Sequence, residues 1–307
     1  MTNCPSCGSD NVRKKGKRVT GAGEKQIYQC RECGRRFTEG LPGIRYPPYV
    51  VTDALTLYNM GYNLDEVARS LRKRYKTRLS RSTVGRWIEK NRDIIPFITL
   101  REEALKKYDG EMIVEKEVTH RGITYPFAYH RYKLEKRCSD LPGLRGYIEN
   151  FSEEGRFFED GERCSEVKLD VRVKKEVKVN LASRMARFVL EGVRVKKERH
   201  REIERFMLVN DSATVAVEVP VYFYDKKLGS VSGHIDLLQV RFGDVYVLDY
   251  KPDAEGEHPE AQLYFYALAI SFRTKVPLQK IKCAWFDESV YYEFSPAKAR
   301  VSYPGKE

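Results

Sequence analysis

The sequence predicts an α/β fold over residues 101–307, preceded by a cysteine-paired segment (residues 1–42) and a set of helices (residues 43–100). Three observations predict it. Val231–Val240 and Val245–Lys251 read as strands, the second apolar on both faces as in the middle of a covered sheet. Leu181–Leu208 reads as helix, with a break expected at Gly192, and the segment holding Gln262 and Tyr266 reads as another. Two Cys-x-x-Cys-Gly sequences open the chain, and helical periodicity follows over Tyr49–Met60, Leu64–Arg74 and Ser80–Glu89.

Cys4-Pro5-Ser6-Cys7-Gly8 and Cys30-Arg31-Glu32-Cys33-Gly34 together offer four thiolates, the donor set of a closed, tetrahedral structural Zn²⁺ site. A segment this short cannot build enough core to fold alone, so the metal is expected to supply folding free energy. Met1-Thr2-Asn3 carries no secretory signal, so the expected location is the cytoplasm and disulfides are not expected. Further on, Leu64, Val67, Ala68 and Leu71 form one apolar helix face. Ser80 is placed to N-cap the third helix, whose Val84, Trp87 and Ile88 face a core while Arg81, Ser82, Thr83 and Arg86 face outward. This is a helix-turn-helix pattern with polar residues at the N-terminal end of the recognition helix, where base edges are read. An ordinary three-helix bundle has the same periodicity, and charge separates the two. Residues 1–100 hold 20 lysines and arginines against nine acidic residues, nearly the whole excess of a chain with net charge +12. A basic head on a near-neutral body is the footprint of a nucleic-acid partner.

Residues 101–170 are the least informative and read as linker, insert or lid. Glu111–Thr119 and Thr124–Leu134 look like a hairpin about His120-Arg121-Gly122. Tyr125, Phe127, Tyr129, Arg131 and Lys133 alternate as in a half-buried strand, though aromatics interleaved with basic groups also suit unpaired bases. Ser139–Gly161, rich in glycine around Pro142, suits a loop or lid.

The chemistry is concentrated in the second hairpin. If Val240 pairs with Val245 across the Arg241–Asp244 turn, the same register sets Asp236 opposite Asp249, with Cβ atoms about 4.5–5.5 Å apart. Lys251 leaves from the face of Asp249, which Val245 and Val247 share, while Tyr246, Leu248 and Tyr250 take the other. Two carboxylates and an ammonium then converge in an apolar surround, where charge is costly unless compensated. A divalent cation compensates it, and hard oxygen ligands suit Mg²⁺ or Mn²⁺. Such an ion makes water nucleophilic and stabilises charge developing on a phosphate. The same spacing also fits a solvated edge hairpin, or a buried Asp–Lys ion pair without chemistry.

Gly233 and Asp236 form Gly-x-x-Asp, Asp249 and Lys251 form Asp-x-Lys at a strand end, and Gln262 and Tyr266 form Gln-x-x-x-Tyr on a helix. This succession resembles the RecB-like branch of the PD-(D/E)XK nuclease superfamily, which includes the exonucleases associated with CRISPR loci. The resemblance implies a restriction-endonuclease-like core, a mixed sheet flanked by helices, over residues 101–307. It implies that Asp236 and Asp249 hold Mg²⁺ or Mn²⁺, with His200 and the Tyr250 carbonyl as further ligands. Lys251 would orient the water or stabilise the phosphorane, and Gln262 and Tyr266 would support the site. His200, within Lys197–Phe206, stands where the family has a ligand histidine, and Glu218 matches a glutamate on the strand that follows. Several branch members carry an iron–sulfur cluster on four cysteines. Beyond the N-terminal quartet this chain has only Cys138, Cys164 and Cys283, so no cluster is expected and the three are read as packing residues. The first hundred residues resemble the DNA-binding part of insertion-sequence transposases, with no match to the catalytic domain such proteins carry next.

The implied protein is a metal-dependent DNA nuclease. A catalytically inactive DNA-binding regulator and an RNA nuclease remain open, since nothing in the sequence distinguishes a 2′-hydroxyl. Charged residues make up 33% of the chain, and no run approaches the ~18 apolar residues of a membrane span, so no membrane partner is expected. Oligomeric state is not indicated.

Overall fold

The computed structural model of the chain describes residues 3–4, 7, 9–20, 23–38, 46–109, 111–120, 122–151, 162–166, 169–193, 195–226 and 229–302. It begins with a small antiparallel sheet, β1 (Val12–Thr20), β2 (Gly23–Cys30) and β3 (Arg36–Thr38), with β2 in the centre. Residues 13–18 are exposed at every position, so this sheet has little core beyond Tyr28, stacked on Phe37 at 5.8 Å, and the buried Cys4 and Cys30.

Three helices follow, α1 (Pro48–Asn59), α2 (Leu64–Tyr75) and α3 (Arg81–Lys90). Asn63 opens α2 with a capping box: its side chain accepts from the Asp65 and Glu66 N–H groups, and the Glu66 carboxylate accepts from the Asn63 N–H. Ser80 Oγ accepts the Thr83 N–H at 3.2 Å, so α3 starts at the expected cap. Val50, Ala54, Leu55, Val67, Leu71, Val84 and Trp87 are buried among these helices. Their cluster does not close on itself but continues into Met185, Ile203, Phe206, Leu237, Leu248 and Tyr250. A buried polar contact marks the junction: Asn59 donates to Asn210 Oδ1 at 2.9 Å, and Asn210 donates to Thr56 Oγ1 at 3.0 Å.

The remainder runs α4 (Arg101–Tyr108), β4 (Ile113–His120), β5 (Ile123–His130), α5 (Arg131–Arg137) and α6 (Pro142–Glu149). Then come β6 (Glu162–Arg163), β7 (Asp170–Arg172), β8 (Glu176–Val177), α7 (Leu181–Leu190) and α8 (Arg199–Asn210). The last part is β9 (Thr214–Asp225), β10 (Gly229–Arg241), β11 (Asp244–Tyr250), α9 (Glu260–Thr274), β12 (Ile281–Phe286), β13 (Tyr291–Phe294) and β14 (Arg300–Ser302). The main sheet has the order β4-β5-β9-β10-β11-β12-β13-β8, with β6 added beside β10, and β7 pairs with β14 apart from it. It is mixed: β11 runs parallel to β12, and β10 parallel to β6. Helices α6 and α9 cover one face, while α7 and α8, with α1 beyond them, cover the other. No helix among the described residues is long and apolar enough to cross a membrane.

The central hairpin has the predicted register. Val240 pairs with Val245 across Phe242 and Gly243, whose φ angles of 52° and 82° are those a two-residue turn needs to match the strands' twist. Val245 and Val247 pack toward α9, and Leu248 and Tyr250 toward α7 and α8. The break expected at Gly192 separates α7 from α8.

Two expectations are corrected. The strand expected over Thr124–Leu134 ends at His130, and Arg131–Arg137 is helical. Tyr132, Lys133 and Leu134 are buried in succession, which alternation across a half-exposed strand cannot give. The Lys133 ammonium donates to the Leu208 and Asp211 carbonyls at the C-terminal end of α8. The loop or lid expected over Ser139–Gly161 contains a helix, started by Pro142 at its first position, where the missing N–H costs nothing. Residues 152–161, the rest of that stretch, lie outside the described residues, as do Pro5, Ser6, Gly8 and Arg121.

Candidate active site

The β10–β11 ladder runs from Arg241↔Asp244 to Leu237↔Leu248 and stops there. The Tyr250 N–H beyond it is taken by a side chain, Asp236 Oδ2, at 2.9 Å. Farther back on the same edge of β10, β6 pairs at Val231 and Ser232, and the Cys164 N–H donates to the Ser232 carbonyl. Among the described residues, 233–236 of β10 therefore face an opening between β6 and β11. Across β10, on β9, Glu218 has φ 49°, a left-handed conformation uncommon outside glycine, and falls in a gap in the pairing between Val219↔Ile235 and Val217↔Leu237. The apolar face of β10 slips there by one residue: Ile235 and Leu238 both pack toward α9, while Leu237 packs toward α8. The distortion carries Asp236 out of simple alternation, as irregularities beside functional sites do.

Asp236, Asp249, Lys251 and His200 meet at this fork. His200, the second residue of α8, places Nε2 3.0 Å from Asp236 Oδ2. Lys251 Nζ lies 2.8 Å from Asp249 Oδ2. One ligating atom from each of His200, Asp236 and Asp249 lies within 4.8 Å of the others. The Tyr250 ring packs edge-on against His200 at 5.0 Å, so the residue between Asp249 and Lys251 also fixes the imidazole.

Electrostatics separates the two aspartates. Burial opposes ionisation of Asp236, but the His200 hydrogen bond and charge hold its carboxyl below the ordinary value. Asp249 goes the other way: burial, then the Asp236 charge, push it well above, despite Lys251. Burial favours the neutral form of His200, and its bond to Asp236 outweighs that, so its pKa is raised. Two buried carboxylates cannot both ionise cheaply without a cation. A divalent ion among these three donors would let both do so, and two carboxylates with an imidazole form a set that Mg²⁺ or Mn²⁺ accepts.

Two more carboxyls surround the fork. Glu218 is pushed to about 8 by burial and by Asp236. Glu204, four residues after His200 on the same face of α8, is 4% exposed. Burial first, then Glu218, Asp236 and Asp249, push its carboxyl well above the usual range. Glu204 was not among the residues singled out from the sequence, although its spacing from His200 was the available signal.

Gln262 and Tyr266 also reach the site. Gln262 Nε2 donates to the Tyr266 hydroxyl at 2.8 Å. A Cβ at Gly233 would lie 2.6 Å from Tyr266 Cε1, so the glycine of Gly-x-x-Asp is what lets α9 sit this close to β10.

At the other end of the chain, Cys4 and Cys33 sulfurs lie 3.6 Å apart, as do those of Cys7 and Cys30. A tetrahedral zinc with Zn–S of about 2.3 Å needs sulfurs roughly 3.8 Å apart, so the quartet fits that ion. On α3, Arg81, Ser82 and Arg86 are exposed and Thr83 is half-buried; Arg81 pairs with Asp65 at 3.4 Å, and Ser82 and Thr83 hydroxyls contact Ser80. Cys138, Cys164 and Cys283 are each buried.

An α/β core whose split sheet gathers two carboxylates, an imidazole and an ammonium has the elements of a metal-dependent hydrolase. Residues 128–301, more than half of the chain, match the family model of the PD-(D/E)XK nuclease superfamily, and the chain belongs to that superfamily. Membership implies metal-dependent hydrolysis of phosphodiester bonds in nucleic acid. No curated protein and no solved structure matches the chain.

Proposed function

We propose that the protein is a Mg²⁺- or Mn²⁺-dependent deoxyribonuclease of the RecB-like, CRISPR-associated-exonuclease-like branch. In this reading residues 101–307 form the nuclease, residues 1–42 a zinc ribbon on Cys4, Cys7, Cys30 and Cys33, and residues 43–100 a helix-turn-helix. Asp236 and Asp249 hold the ion, with His200 and the Tyr250 carbonyl completing the protein ligands. Lys251 orients the attacking water or stabilises the phosphorane. Gln262 and Tyr266 brace the strand. Arg81, Ser82, Thr83 and Arg86 meet the duplex and direct the nuclease to it.

The observation that carries the reading is the convergence of His200, Asp236 and Asp249 within 4.8 Å beside Lys251. What supports DNA as the target is the basic head, with 20 cationic against nine acidic residues in its first 100. Incubation with single- and double-stranded DNA and RNA, with and without Mn²⁺, tests it. Metal-dependent DNA cleavage that Asp249→Ala abolishes while DNA binding persists is expected. Metal-dependent activity retained in Asp249→Ala refutes the assignment, and cleavage confined to RNA refutes the substrate.

A further inference from the structure

Beyond the fork, the opening along residues 233–236 continues into a cleft of about 180 Å³. Asp236, Glu218 and Tyr266 line it on the side of the carboxylate cluster; Tyr125, His234 and Arg163 also line it. Tyr125 and His234 stack at 3.8 Å and 16°, and the Arg163 guanidinium donates to the Tyr125 hydroxyl. Arg163 is set in place by β6, which pairs it with Ser232, two residues before His234.

Arg163 is half-buried in a neighbourhood of carboxyls, yet among the described residues its side chain is held by a phenol and by no carboxylate. A guanidinium so placed calls for an anion, and its planar fork matches phosphate. The aromatic wall beside it presents ring surface to a base. We propose that this cleft holds the nucleotide next to the scissile phosphate, with Arg163 on its phosphate and Tyr125, backed by His234, against its base. The proposal rests on the nuclease reading of the adjoining site and adds the contacts that grip the substrate on one flank.

The test titrates the thymidine dinucleotide pTpT into the full-length chain carrying Asp249→Asn, by calorimetry, with Arg163→Ala, Arg163→Lys and Tyr125→Leu added singly. Affinity should fall about tenfold or more in Arg163→Ala, less in Arg163→Lys, and about fivefold or more in Tyr125→Leu. Absence of pTpT binding overturns the proposal, as does unchanged affinity in Arg163→Ala with a normal melting profile. Inorganic phosphate binding as tightly as pTpT overturns it too, since the cleft would then select no nucleotide. Should Arg163→Ala fail to fold, Arg163→Lys and Tyr125→Leu decide by the same criteria. Cleavage by the chain with Asp249 intact is scored separately. Arg163-dependent pTpT binding without any cleavage would sink the hydrolysis reading and leave the cleft standing; cleavage with Arg163-independent binding would do the reverse.

Discussion

Gly233→Ala tests the packing that brings α9 to the active strand. Its φ is not positive, so backbone conformation alone would favour alanine by about 0.5–1 kcal/mol in a strand interior. Packing argues the opposite. The new Cβ would lie 2.6 Å from Tyr266 Cε1, 3.1 Å from its hydroxyl oxygen and 3.3 Å from Cζ. Carbon pairs settle at about 3.5–4.0 Å, so the ring would have to retreat by roughly 1 Å. It has little room to do so: Tyr266 is 4% exposed, and Gln262 holds its hydroxyl. Overpacking of this kind costs about 1–3 kcal/mol, enough to reverse the sign of the backbone gain. Urea unfolding of the full chain should therefore show Gly233→Ala destabilised, with nucleic-acid cleavage lowered as well. In a Tyr266→Ala background the same substitution should become neutral or stabilising, a coupling above about 1 kcal/mol. A Gly233→Ala protein more stable than wild type, or an equal cost in both backgrounds, would refute the packing argument.

Other regions yield further predictions. Lys133→Met removes the donor to the Leu208 and Asp211 carbonyls, at about 1–3 kcal/mol for each group left unsatisfied, measured by urea unfolding. Burial lowers the Lys133 pKa to about 7 from an unfolded value of about 10.4. Between those values the unfolded chain holds a proton that the folded chain lacks, so this group adds stability as pH rises, at no more than about 1.4 kcal/mol per pH unit. The stability of wild type minus that of Lys133→Met should rise across pH 7–10 and be flat below that window. Arg86→Ala should weaken duplex binding alike for all sequences, or at one base position only if Arg86 reads a base; in the first case the log–log salt slope falls by about 0.9, measured by fluorescence anisotropy. Metal analysis should find one zinc per chain, lost in Cys30→Ser.

Much of the hairpin was readable because its determinants are local. The Phe242-Gly243 turn fixes the register, and the two-residue period of a strand fixes which side chains of β11 share the face of Asp249. Ser80 and the cysteine pairs are equally local signals. The fork is not local. It depends on Glu218 taking a left-handed conformation, on the Asp236 carboxylate replacing a ladder partner of Tyr250, and on a two-residue parallel strand at Glu162–Arg163. No periodicity announces any of these. The two-residue recurrence of Tyr125, Phe127, Tyr129, Arg131 and Lys133 carries the strand pattern past His130 to Leu134, and lysine is so seldom fully buried that nothing in the sequence marks Lys133 as a core residue. The apolar faces of α1, α2 and α3 were visible, but nothing in them told that α1 would share a core with α7 and α8.

The proposed chemistry requires one cation among His200, Asp236 and Asp249. Anomalous diffraction from crystals soaked in Mn²⁺ measures this directly. The prediction is a manganese peak within about 2.0–2.3 Å of His200 Nε2 and of an oxygen from each aspartate, abolished by Asp249→Ala. Zinc at the cysteine quartet with no manganese at the fork, or manganese bound without either aspartate, would contradict it.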